Sequence, residues 1–201
     1  MVKANIGRPR SEKSREAILN AAHDLLHEQG GTGLTIEAIA RRAEVGKPTI
    51  YRWWPTLADI VLEALLRQAN SEITVSASEP LQETLGQFLR QSMKVIEDGA
   101  GLHLRFLMAQ AQQDEGFRER FRTHFTAKRR AVLRAIFLRA VEQGDISARQ
   151  DLDMLVDIVF GTMWYRLLTG HAPMDESFAD ELTEMTIRLS RTTPAQQDAV
   201  P

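Results

Sequence analysis

An all-α fold is predicted for this chain: an N-terminal three-helix helix-turn-helix unit followed by a longer helical region. Three observations predict it. Apolar residues recur at helical spacing through most of the chain, as at Ile18, Leu19, Ala22, Leu25 and Leu26. No stretch alternates with period two for long enough to make a strand. Between residues 34 and 55, two short helical patterns are separated only by Glu44, Val45 and Gly46, which leaves room for a tight turn and nothing else.

The elements follow in order. Residues 1–10 contain Gly, Pro, Lys3, Arg8 and Arg10 and read as a flexible basic arm. The first helix is expected from Ser11, with Ser11 or Ser14 as cap and Gly30-Gly31 as stop. Thr35 is placed to cap a second helix carrying Ile36, Ile39, Ala40 and Ala43. A third, from Lys47 to Trp54, tolerates Pro48 in its first turn and ends at Pro55. Longer helices are predicted over about 57–73, 81–97, 102–113, 117–143, 152–169 and 176–190. In the 117–143 helix Phe117, Phe121, Phe125, Val132, Ile136, Phe137 and Val141 share one side. Residues 192–201, polar with two prolines, read as a flexible tail. The domain boundary is therefore set after residue 55: a helix-turn-helix domain over 11–55, then a second helical domain over 56–191.

Composition narrows the function classes. The chain has 201 residues and no cysteine, so disulfides, thiolate metal sites and thiol nucleophiles are excluded. It shows no apolar run of transmembrane length and no apolar leader, so a cytoplasmic location is expected. The net charge is only −2, but it is unevenly distributed. Residues 1–55 hold nine Lys/Arg against six Asp/Glu, while the remainder is acidic. A basic front and an acidic back suit a DNA-binding end joined to a region that avoids DNA.

The chemistry lies in the segment LTIEAIARRAEVGKPTIYRWWPTLA. Ala40 is small where two helices must approach closely, and Val45 and Ile50 can close the corner against Ile36 and Ile39. With those faces buried, Lys47, Thr49, Tyr51 and Arg52 turn outward. Lysine and tyrosine suit phosphate oxygens; arginine suits the O6 and N7 atoms of guanine. These residues resemble the DNA-binding domain of the TetR family of bacterial repressors. Thr35, Ile39, Ala40, Ala43, Val45, Lys47, Thr49, Ile50 and Tyr51 fall in the family's register, with Trp54 at its aromatic position. The motif covers about residues 14–60. Four departures stand out: Glu44 where the family has a turn glycine, Gly46 for a capping serine, Pro48 for glycine, and Leu57 where lysine is frequent.

The DNA-contacting set is accordingly Thr35, Lys47, Pro48, Thr49, Tyr51, Arg52 and Trp53, with Arg8 and Arg10 either reaching the minor groove or lying in a free tail. Trp53 is open to DNA contact or to packing, and Arg41-Arg42 read as solvated. His23 and His27 have chelating spacing, but no third ligand stands nearby in sequence, so they read as a solvated pair. No metal, no cofactor and no catalytic residue is expected, and the chain is not read as an enzyme.

In the 152–169 helix, Leu152, Leu155, Val156, Val159, Phe160, Met163, Trp164, Leu167 and Leu168 form an apolar band too wide for one core contact. With the 176–190 helix it can supply half of a four-helix interface in a two-fold dimer, and the resemblance implies that homodimer, through about 152–190. The resemblance also implies a pocket for a small-molecule effector. Its candidate lining is Phe88, Met93, His103, Phe106, Leu107, Met108, Phe137, Met163, Trp164 and Tyr165. The function so implied is that of a ligand-responsive repressor binding a near-palindromic DNA operator as a homodimer. The competing classes are a helical-bundle enzyme or carrier without DNA binding, and a DNA-binding activator or a repressor without ligand.

Overall fold

The computed structural model describes residues 8–29, 33–69 and 79–191. Its helices are α1 (Arg8–Gln29), α2 (Ile36–Arg42), α3 (Lys47–Tyr51), α4 (Leu57–Ala69), α5 (Leu81–Val95), α6 (Gly101–Gln113), α7 (Glu115–Phe121), α8 (Ala127–Glu142), α9 (Leu152–Thr169) and α10 (Glu176–Arg191). A kink within Ile96–Ala100, with Gly99 at φ 120°, separates α5 from α6, and a turn of π-helix spans Arg122–Thr126. There is no strand among the described residues, and none of their helices is long and apolar enough to cross a membrane.

Two compact units divide the chain. The first takes in Met1–Ser71 and Gly99–Phe121; the second takes in Glu72–Asp98 and Arg122–Pro201. A boundary after residue 55 does not coincide with this division, because α4, α6 and α7 pack with the N-terminal helices. In the first unit, α1 buries Ile18, Leu19, Ala22, Leu25 and Leu26, and α4 buries Ile60, Val61 and Leu65. Asp59 closes one side of it. Its carboxylate receives two hydrogen bonds from Arg120, at 2.7 and 3.1 Å, and one from the Thr56 hydroxyl at 2.6 Å. A buried carboxylate satisfied by a fork of arginine donors fixes orientation as well as energy.

The second unit packs α5 against α8 and α10, with α9 against α8 and α10. Phe88, Leu89, Phe137, Val156, Val159 and Leu182 lie in its core. Asp151 starts α9 by accepting the amides of Asp153 and Met154, each at 3.0 Å. Gly170, left-handed at φ 63°, ends it.

Two expectations about helix limits change. The first helix begins at Arg8, not Ser11, so part of the expected arm is helical; Pro9 fits a first turn, where an amide hydrogen has no partner to lose. The helix expected over 117–143 begins at Glu115 and is broken by the π turn at Arg122–Thr126 into α7 and α8. That turn rephases the apolar stripe: Phe117 and Phe121 are buried in the first unit and Leu133, Ile136 and Phe137 in the second, while Val132 is 39% exposed. The remaining expected arm (1–7), the glycine stop at 30–31 and the tail (192–201) lie outside the described residues.

Candidate nucleic-acid interface

The site is built on a short, well-capped scaffold. Thr35 is extended, and its hydroxyl oxygen accepts the Ala38 amide at 3.1 Å, which starts α2. The hydroxyl hydrogen stays available to a phosphate. At the other end the Val45 amide donates to the Ala40 carbonyl at 3.0 Å and the Glu44 amide to Arg41 at 3.3 Å. This pairing stops a helix by turning one residue left-handed. That residue is Glu44, at φ 53°, the position where the sequence departs from glycine. A side chain in that region is strained by about 1–2 kcal/mol. Gly46 precedes α3 without any side-chain cap, as its departure from serine foretells.

Ile39 and Ile50 are fully buried and Ala40 nearly so, which closes the corner between α2 and α3. Trp54 is also buried, and its indole N–H donates to Glu63 at 2.8 Å. Glu63 in turn pairs with Arg15 at 2.5 Å, and the Arg15 guanidinium lies 5.2 Å from the centre of the Trp53 ring. Helices α1 and α4 thus hold the end of α3 through one chain of polar and cation–π contacts. Trp53 is both packed and accessible: 38% exposed, with one face against Arg15.

Anchored in this way, α3 turns its other side outward. Lys47, Pro48 and Arg52 are exposed, Thr49 is partly so and Tyr51 is 55% exposed. Lys47 forms an ion pair with Glu37, which holds the ammonium above and the carboxylate below its ordinary pKa through their shared hydrogen bond. Arg42 makes a two-pronged pair with Glu28 at 2.9 and 2.7 Å. Arg8 and Arg10 have their backbone in the first turn of α1, and their side chains lie outside the described residues. The structure therefore brings Thr35, Lys47, Pro48, Thr49, Tyr51, Arg52 and Trp53 onto one local scaffold. Sequence reasoning missed Glu37, Glu63 and Arg15. Glu37 and Lys47 are ten residues apart on different helices, a spacing that no single-helix pattern flags.

The candidate effector-lining residues are drawn from both units. Phe88, Met93, Phe137 and Met163 belong to the core of the second unit. Trp164 is in that unit, whereas His103, Phe106 and Leu107 belong to the first. His103 is buried beside His23 and His27, so the histidine pair has the third imidazole that its neighbourhood in sequence lacks.

Residues 18–64 match the family described as bacterial regulatory proteins, tetR family, and residues 75–186 match the tetracyclin repressor-like C-terminal domain. The chain is 28% identical over 191 residues to the HTH-type transcriptional regulator YdeS of Bacillus subtilis, covering 95% of this chain and 96% of that one. It is 25% identical over 180 residues to a DNA-binding transcriptional repressor, TetR, of Mycobacteroides abscessus, covering 87% and 92%. Among solved structures, the TetR family transcription regulator SCO0332 superposes with a TM-score of 0.71 at 28% identity, covering 90% of this chain and all of that one.

Proposed function

This chain belongs to the TetR family of bacterial transcriptional regulators, and on that premise we propose that it is a homodimeric repressor released from its operator by a small molecule. The family is one of DNA-binding regulators rather than enzymes. The observation that carries the reading is the division of α3: Ile50 fully buried, with Trp54 buried just beyond the helix, against Lys47, Tyr51 and Arg52 exposed. A helix of five residues has no stability of its own. Its shape comes from the scaffold beneath it, which frees the outer face for recognition.

In the proposed complex, Lys47, Thr49 and Tyr51 bind phosphate oxygens and Arg52 reads a guanine edge in the major groove. Thr35 adds a phosphate contact through its hydroxyl hydrogen, Pro48 packs on the sugar–phosphate backbone, and Trp53 borders the groove. Arg8 and Arg10 are assigned to the adjacent minor groove, whose negative potential attracts arginine.

Dimerisation is supported by the second unit. Met154, Tyr165 and Leu168 on α9, with Met185 and Leu189 on α10, are large apolar residues between 41% and 64% exposed. A helix apolar on both its inner and outer sides belongs inside an assembly. Two-fold pairing of α9 and α10 would cover these residues and present two α3 helices to half-sites about 34–36 Å apart. The effector acts in the C-terminal region, where Phe88, Met93, Phe137, Met163 and Trp164 are the candidate contacts. It releases the operator only by binding the released state more tightly.

Selection from random duplexes tests this reading. The expected product is a near-palindrome whose half-sites are one helical turn apart. Failure to enrich any sequence, or enrichment of a single unrepeated site, contradicts the dimeric reader.

A further inference from the structure

His23, His27 and His103 converge in the first unit, and we infer that they form a three-histidine site for a divalent late first-row transition metal, with zinc as the reference ion. Each offers one ring nitrogen, and these three atoms all lie within 4.8 Å of one another. His23 Nδ1 and His103 Nε2 are 3.4 Å apart. Tetrahedral zinc with bonds of roughly 2.0–2.1 Å places neighbouring ligand atoms about 3.3–3.4 Å apart, so this pair already spans one edge of such a site.

The supporting shell is also built. His103 Nδ1 lies 3.3 Å from the Gly99 carbonyl oxygen. A carbonyl only accepts, so Nδ1 carries the hydrogen and Nε2 presents its lone pair to His23. A carbonyl that fixes the outer nitrogen is the usual partner of a metal-ligating histidine. Gly99 has a second part in the site. At φ 120° its backbone passes so close to His27 that a Cβ would stand 2.3 Å from Cε1 and 2.6 Å from Nε2 of that ring. Only glycine allows both the carbonyl contact and the ring.

The donor set selects the ion. Three imidazoles without a carboxylate suit zinc, nickel, cobalt or copper and not magnesium or calcium. His27 is exposed, His23 half-buried and His103 buried, which leaves an entry path and an open position for solvent on the His27 side. Without metal, the His23 Nδ1 hydrogen can bridge to His103 Nε2; with metal, His23 takes its other tautomer and both lone pairs face the ion. The ion would cross-link α1 to the first turn of α6.

The test uses the full chain, stripped with a chelator and titrated with Zn²⁺ against a chromophoric competitor, with Co²⁺ as a spectroscopic reporter. One equivalent per chain is expected, with the intense visible absorption of tetrahedral Co²⁺ and a zinc-dependent rise in Tm. His23→Gln and His27→Gln should each weaken binding about tenfold or more while leaving the circular dichroism unchanged. The His124→Gln/His171→Gln double variant, which replaces the two remaining histidines, should bind as the parent does. Absence of stoichiometric zinc binding overturns the site, as does binding that survives His23→Gln/His27→Gln together.

Discussion

Helices α3 and α9 are both buried on one side, and what they leave on the other side differs. Outside its buried Ile50, α3 presents Lys47, Pro48, Thr49 and Tyr51, with Arg52 following. Outside its buried Val156, Val159 and Met163, α9 presents Met154, Tyr165 and Leu168. A cationic and hydroxylic face can be satisfied by phosphate and base edges, or by water while it waits. An apolar face gains most from a second apolar face. On the proposed function, the contrast separates a surface suited to intermittent contact with a polyanion from one suited to lasting contact with protein. It also accounts for the lengths: five residues suffice where a scaffold holds the helix, whereas eighteen give an interface enough area.

The contrast can be broken most forcefully at α9. Leu168→Asp puts a carboxylate in the apolar face and should weaken self-association by at least about 2 kcal/mol, roughly thirtyfold in Kd. Analytical ultracentrifugation reads this directly, and an unchanged dimer would remove that face from the interface. Arg52→Ala should cost about 1–3 kcal/mol at one base of each half-site and relax the preference there. Competition between operator variants measures it; an equal loss on all sequences would make Arg52 a phosphate contact.

Two smaller changes sharpen the account of the reading head. Glu44→Gly relieves the left-handed glutamate and should raise stability by about 0.5–1 kcal/mol, after the greater chain entropy of glycine is subtracted. A chemical denaturation midpoint checks it, and destabilisation would mean that the Glu44 side chain contributes more than its backbone costs. Glu37→Gln releases Lys47 from its ion pair and removes a negative charge beside the docking face. Affinity for any duplex should rise about twofold at low salt. A fall in affinity would show that Glu37 positions Lys47 for binding and does not compete with the phosphate.

What was legible in the sequence was local. The turn between α2 and α3, the Thr35 cap, the burial of Ile50 and Trp54 and the outward set on α3 all follow from spacings of a few residues. So do the limits of α9, fixed by Asp151 at its start and Gly170 at its end. What escaped was non-local or involved a change of period. The π turn at Arg122–Thr126 has no breaker residue, so α7 and α8 read as one uninterrupted helix. The pairing of Lys47 with Glu37, and the approach of His103 to His23 across 80 residues, depend on packing that a single helical period does not encode. Assignment of α4, α6 and α7 to the first unit is hidden for the same reason.

The central claim is that α3 docks its exposed face on duplex DNA through phosphates. A salt titration of binding to the selected operator, with a scrambled duplex beside it, tests that claim most directly. If each dimer makes 6–10 phosphate contacts, operator affinity should fall by about 10³–10⁵ between roughly 50 and 200 mM salt, and should exceed scrambled affinity throughout. Affinity that ignores salt, or an operator bound no better than the scrambled duplex, would contradict it.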